Sequence, residues 1–277
     1  MNCMPANEFD VSALPDIQNR RDSRNVAIDH VGVKGVRYPV VIMSTQGAIP
    51  TIGEFSMSVG LKSEVKGTHM SRFIEMLESH SSPLTQENFV NLARATADRL
   101  DAPFCEIELK FPFFQNKSAP VSGAQSLLDY DVVWRTVVSG ASGAKFTLKA
   151  IVPATSLCPC SKEISKYGAH NQRSLISIEA TLLEMVSLEE LVNVAQNAAS
   201  CEVYGLLKRP DEKFVTERAY DNPKFVEDMV RDVAVALSAD SRILDYAVEV
   251  ENFESIHNHT AYARIVGRPD TKIQKAA

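Results

Sequence analysis

Cys158-Pro159-Cys160 and the run His170-Asn171-Gln172-Arg173-Ser174 place two thiols and an imidazole within thirteen residues. Soft sulfur and nitrogen ligands favour zinc-like transition metals, and a set of two or three protein ligands leaves a position open for water. Water held by such a metal ionises near neutral pH and becomes a nucleophile, so the pattern points to hydrolytic chemistry. The chain lacks the second CxxC or HxxxH pair of a usual structural zinc site. Nearer the end, His257 and His259 form an HxH pair, and on an extended stretch both rings would project to one side. Histidine titrates in the range needed for general acid and base work.

The elements that would position these residues follow from the hydrophobic pattern. Two strands are expected over 37–44 and 51–61, then helices over 71–80 and 85–100, then strands over 104–114 and 130–139. Phe73, Ile74 and Leu77 mark the inward face of the first helix. Phe89, Leu92, Ala93 and Ala97 mark that of the second, which Thr85 caps. The order then repeats: strands over 145–153 and 173–183, a helix from Ser187 with Glu190 completing a capping box, a helix over 223–237 with Pro223 in its first turn, and strands over 245–253 and 261–266. Each half reads strand, strand, helix, helix, strand, strand. The expected class is α+β, with antiparallel four-stranded sheets carrying two helices on one face. We divide the chain into an N-terminal arm at 1–30 and two modules at 31–140 and 141–277. Such sheets leave one face and their edges in need of cover, and oligomerisation into a barrel would supply it. On a strand, Cys158 and Cys160 would face the same way.

Composition narrows the function classes. The 277 residues carry a net charge of -6, which argues against a general nucleic-acid binder but leaves room for a local basic pocket for a small phosphorylated ligand. No apolar run approaches a membrane span. The first residues lack the pattern of a signal peptide, and the five cysteines are an odd count, so a reduced, cytoplasmic protein without a disulfide framework is expected. Cys3 reads as a tail residue; Cys105 and Cys201, among apolar neighbours, read as buried spacers.

Several segments together identify a family. LPDIQNRRDSRNVAIDHVGVKGVRYPV near the start, GTHMSRF at 67–73, LCPCSKEIS at 157–165, GAHNQRS at 168–174, RPDEKFVTERAYDNPKFVEDMVRD at 209–232 and ENFESIHNHTAYA at 251–263 resemble GTP cyclohydrolase IB, a prokaryotic enzyme of the tunnelling-fold superfamily. The resemblance spans nearly the whole chain, in order. It implies tandem tunnelling-fold modules, a homotetramer with active sites at subunit interfaces, and conversion of GTP and water to 7,8-dihydroneopterin triphosphate and formate. That product feeds tetrahydrofolate synthesis and, in many bacteria, queuosine. It also implies one divalent metal per active site, zinc or manganese, with iron as a further alternative.

Roles carry over residue by residue. Cys158 and His170 are the implied metal ligands, with Glu212 as the third; Glu202 and Glu217 compete for that last place. Cys160 is a candidate proton donor or auxiliary ligand, and we favour proton transfer. His257 and His259, with Glu254 placed to orient one of them, share proton transfers with Cys160. Glu227 is the expected anchor for the guanine N–H groups. Lys162 and Arg173 are the leading triphosphate contacts, ahead of Lys166, Lys208, Arg209, Arg218, Arg20 and Arg21. His69 and Arg72 match the family without an assigned role. A tunnelling-fold nitrile reductase is the competing enzyme reading, but its Glu-Ser-Lys-Ser run is absent. A non-catalytic metal- or nucleotide-binding module is the other alternative.

Overall fold

The computed structural model describes residues 15–269, apart from 19, 81, 141 and 142. Half of the expected arm, including Cys3, lies outside the described residues. The first half contributes β1 (Ile28–Ser44), β2 (Gly47–Leu61), α1 (Met70–Glu78), α2 (Gln86–Arg99), β3 (Phe104–Ser118) and β4 (Gln125–Ser139). The second contributes β5 (Gly143–Leu157), α3 (Pro159–Ile164), β6 (Asn171–Leu182), α4 (Leu188–Ala198), β7 (Cys201–Glu202), α5 (Arg209–Asp221), α6 (Val226–Ser238), β8 (Ile243–Phe253) and β9 (Thr260–Gly267).

The strands form one nine-stranded antiparallel sheet in the order β1-β2-β3-β4-β5-β6-β8-β9, with the short β7 beside β5. β4 and β5 pair from Asp131↔Ile151 to Ser139↔Gly143, so the ladder runs unbroken from the first half into the second. Period-two alternation sets the faces. Phe55, Met57, Ile107, Leu109, Trp134, Leu148, Val152, Ile176, Ile178 and Val248 point to the helix side and are buried. The other face carries Glu54, Glu108, Lys110, Lys149 and Glu249, with Arg135 and Glu179 paired at 3.2 Å.

Local chemistry explains most boundaries. Thr85 Oγ1 accepts the Asn88 N–H at 3.1 Å and Ser187 Oγ the Glu190 N–H at 3.2 Å, so both expected caps form. Inside α2 the buried set is Phe89, Leu92, Ala93 and Thr96, with Thr96 taking the place expected for Ala97. Pro223 does not enter α6: it precedes the cap Phe225, and the helix starts at Val226. Two helices differ from expectation altogether. Residues 209–221 form α5, a segment to which the hydrophobic pattern assigns no element, because that helix buries only Asp211 and Ala219 and shows no apolar stripe. Residues 159–164 form α3, so Cys158 and Cys160 do not share a strand. β1 begins at Ile28, inside the expected arm.

The first half packs around Trp134, whose indole meets Phe89, Phe111 and Phe146 edge-on at 5.4–5.7 Å between centroids. These contacts fasten α2 to β3, β4 and β5. Truncating the fully buried Phe89 to alanine removes that fastening, and we expect a loss of about 3–5 kcal/mol. Trp134 is the only tryptophan, so urea unfolding followed by its fluorescence reports directly on this core.

Candidate functional site

Cys158, Cys160 and His170 lie where a thirteen-residue excursion leaves and rejoins the β5–β6 ladder. The last ladder pair is Leu157↔Asn171. One step beyond it the Cys158 amide donates to the His170 carbonyl at 3.1 Å, which makes two residues distant in sequence immediate neighbours. Pro159 occupies the first position of α3, where its fixed φ suits a helix and its missing N–H costs nothing. Cys158 caps that helix, its sulfur accepting the Ser161 N–H at 3.4 Å. Ser161 then clasps both sides: its hydroxyl donates to the Cys158 carbonyl at 3.1 Å and accepts the His170 N–H at 3.2 Å. Gly168, at φ +121°, adopts the left-handed backbone that turns the chain back toward His170.

His170 is held by its ring as well. Nδ1 lies 2.9 Å from Gln172 Oε1 and 3.9 Å from Glu254 Oε2. Glu254 therefore faces His170, whereas the sequence suggested that it would orient His257 or His259. Those two histidines sit in the bend between β8 and β9, exposed, with rings stacked at 5.1 Å and 15°. The segment is bent, so the extended geometry expected for the HxH pair is not adopted; ring stacking brings the two side chains together instead. Cys160 is exposed on α3.

Other expected residues surround this junction unevenly. Lys162 donates to the Tyr220 carbonyl at 2.5 Å and lies 4.3 Å from the Tyr220 ring centroid, tying α3 to the end of α5. The Lys224 amide donates to the Leu157 carbonyl at 3.0 Å, which brings the start of α6, and so the exposed Glu227 in its first turn, to the end of β5. Arg173 is exposed on β6, opposite Thr155. Glu212 is exposed in the first turn of α5, at the end of that helix away from Tyr220. Among the described residues no three His, Cys, Asp or Glu side chains converge closely enough to hold a metal, so Glu212 is not gathered with Cys158 and His170.

Its competitors are committed elsewhere. Glu217 pairs with Lys213 at 2.5 Å. Glu202 pairs with Lys117 at 2.5 Å and Arg218 at 3.3 Å, and accepts the Tyr204 hydroxyl at 2.7 Å. Burial works to raise the Glu202 carboxyl, but hydrogen bonds from Lys117 and Tyr204 and the charges of Lys117 and Arg218 outweigh it, so the group sits below the ordinary glutamate value. Lys117 is itself lowered, chiefly by burial. The helix end bearing Glu212 is anchored by its neighbour: buried Asp211 accepts the Val121, Ser122 and Lys208 amides and the Ser122 hydroxyl. His69 caps α1, with Nε2 3.4 Å from Asp16 Oδ2. Cys105 and Cys201 are buried free thiols, as their neighbours suggested. Ser161 and Gln172 were not singled out by residue type. Yet Gln172 follows His170 by two, the spacing that puts side chains on one side of a strand.

The comparisons bear on the whole chain. A family model described as type I GTP cyclohydrolase folE2 matches residues 14–263. The chain is 56% identical over 254 residues to GTP cyclohydrolase FolE2 of Azoarcus sp. (strain BH72), covering 91% of this chain and 94% of that one. It is 57% identical over 258 residues to GTP cyclohydrolase FolE2 1 of Dechloromonas aromatica (strain RCB), covering 92% and 96%. Among solved structures it is similar to the uricase of Arthrobacter globiformis, with TM-score 0.53 at 9% identity over 88% of this chain and 94% of that one. The uricase of Bacillus fastidious gives TM-score 0.55 at 9% identity, over 90% and 97%. At that identity the likeness is one of fold: an antiparallel tunnelling-fold sheet with helices.

The Glu202 cluster yields a pH-dependent expectation. A carboxylate depressed on folding adds stability that is complete above its unfolded value, near 4.5, and is lost as the pH falls through the folded one. Glu202→Gln leaves Lys117 buried without its counter-charge and lowers stability at neutral pH by about 3 kcal/mol. Calorimetry across pH should show the gap between variant and wild type narrowing below about pH 4.

Proposed function

The chain belongs to the type I GTP cyclohydrolase FolE2 family, and from that premise we propose how its own residues convert GTP and water to 7,8-dihydroneopterin triphosphate and formate. The FolE2 description takes the place of the IB label that the motifs suggested. The observation that carries the site assignment is the bond between the Cys158 amide and the His170 carbonyl, which makes a cysteine and a histidine neighbours at the end of the ladder.

The donor set fits a divalent metal. Cys158 supplies sulfur, and His170 has Nδ1 engaged by Gln172, which leaves Nε2 as the ligating atom. Glu212 is the third ligand in this reading: it stands apart from Cys158 and His170 in the single chain, and its exposure, with Glu202 and Glu217 engaged elsewhere, leaves it available to join them. Bound there, zinc, manganese or iron would make water nucleophilic at neutral pH and offset charge at the purine carbon under attack.

The remaining work belongs to protein groups. Glu227 accepts the two N–H groups on the 2-amino-pyrimidinone edge of guanine. Its place beside the end of β5 supports that role. Arg173 and Lys162 hold the triphosphate, and Lys162 keeps two further N–H donors beyond its bond to Tyr220. His257, His259 and Cys160 deliver protons to the imidazole ring nitrogen as C8 is attacked, and to the nitrogen that departs from formate. The ribose then opens, rearranges and recloses on the freed amine.

Assembly completes the site. Among the described residues β1 and β9 each pair with one strand, and the face of the sheet away from the core carries charged side chains. Closure with other copies removes such edges. We read the assembly as a homotetramer of tandem modules, with exposed His257 and His259 reaching a site shared between subunits in the cytoplasm.

Cys158→Ala and His170→Ala should abolish formate release while leaving the circular-dichroism melt close to wild type. Appreciable formate from either metal-free variant would overturn the assignment. His257→Asn and His259→Asn should retain bound metal and lose about 10²–10⁴-fold in kcat, the share of positioned proton transfer.

A further inference from the structure

A line of buried polar side chains runs inward from His170 across three strands. Gln172 Oε1 lies 2.9 Å from His170 Nδ1, and Gln172 Nε2 donates to Ser156 Oγ at 2.9 Å. The Ser156 and Ser174 hydroxyls meet at 3.0 Å, and Ser174 Oγ donates to Asn252 Oδ1 at 2.7 Å. Ser156 and Ser174 are fully buried, and Gln172 and Asn252 nearly so. The ladder sets Ser156 opposite Gln172 and Ser174 opposite Asn252, so β5, β6 and β8 each contribute to one helix-facing row. Further along the same row stand Ile176, Ile178, Val248 and Val250. Polar groups in such a place are costly unless each is hydrogen-bonded, and here each has a partner.

The direction of the bond to His170 is set by the Gln172 amide. Asn252 Oδ1 can only accept, so Ser174 donates to it. The single Ser174 proton is shared between Asn252 Oδ1 and Ser156 Oγ, so Ser156 is the acceptor in the contact between the serines. Ser156 also accepts from Gln172 Nε2, which can only donate. Gln172 therefore presents its carbonyl oxygen to His170, and a carbonyl oxygen accepts. The proton of the neutral imidazole must stand on Nδ1.

We propose that this hydrogen-bond chain fixes His170 in the Nδ1–H tautomer and turns the Nε2 lone pair toward the metal position. Gln172 is the positioning residue, and Ser156, Ser174 and Asn252 hold its amide in register. The inference rests on the reading of His170 as a metal ligand. A free neutral imidazole prefers its proton on Nε2, where it would block ligation, so without the chain each binding event would first have to move that proton. The Glu254 carboxylate, 3.9 Å from Nδ1, is a second acceptor on the same side of the ring and reinforces the same tautomer.

The test is a long-range proton–nitrogen correlation spectrum of the metal-free, nitrogen-15-labelled full chain, recorded well above the histidine titration range. His170→Ala identifies the His170 signals. The expected result is a protonated Nδ1 and an unprotonated Nε2 at His170; the reverse overturns the proposal. Gln172→Leu should move the ring toward the Nε2–H form and weaken zinc binding about 10- to 100-fold, whereas Gln172→Glu, which keeps an acceptor oxygen, should restore both. An unchanged tautomer together with unchanged zinc affinity in folded Gln172→Leu also overturns it. If that variant does not fold, the wild-type spectrum alone decides. Undiminished zinc binding by His170→Ala would instead remove the ligand reading and leave the tautomer result standing, so the two failures are distinct.

Discussion

The rung between the Cys158 amide and the His170 carbonyl is the interaction on which the rest of the site depends. It is the last bond of the β5–β6 ladder, formed one step beyond the Leu157↔Asn171 pair. Everything between those residues is an excursion whose two ends the sheet holds together. A loop closed by backbone hydrogen bonds on both flanks keeps its end residues in place with little side-chain entropy to lose, which suits groups that must present fixed donor atoms. Ser161 repeats the closure from inside the loop by bonding to both end residues.

Around that rung the second half of the chain is fastened by polar contacts as well as by its apolar core. Ser200 Oγ accepts the Leu157 amide, Asn222 Nδ2 donates to the Ala199 and Ser200 carbonyls, and the Lys224 amide reaches the Leu157 carbonyl. These bonds bind the ends of α4 and α5 and the start of α6 to the end of β5. The Glu202 cluster does the same for the last turn of α5 through Arg218. The first half is tied to the second by more than the β4–β5 ladder. Glu189, at the start of α4, accepts the Thr45 amide and hydroxyl at 2.9 and 2.7 Å, and Gln86 donates to the Val186 carbonyl at 2.6 Å. A site at the end of β5 is therefore supported from both halves of the molecule.

Much of this was legible in the residues alone, for identifiable reasons. Strands alternate because one face is buried and the other is not, and the capped helices α2 and α4 announce themselves through Thr85 and through Ser187 with Glu190. α5 escaped because its stability comes from Asp211 and from contacts at its ends instead of an apolar stripe. α3 escaped because a six-residue helix has no periodicity to read. The chemistry-bearing residues around 158 and 170 stood out by type and spacing. Their supports did not, since Ser156, Gln172, Ser174 and Asn252 become a unit only once three strands are in register. Glu254 was noticed for the wrong partner: its neighbour in sequence is an HxH pair, but its neighbour in space is His170.

The most direct test of the account is GTP turnover by wild-type protein stripped of metal and repleted separately with zinc, manganese and iron. Formate release and, after oxidation, pterin fluorescence are followed together. Both products should appear only after repletion, in step with one another and with metal bound. Both products at full rate from stripped protein, or neither product with any metal, would contradict it.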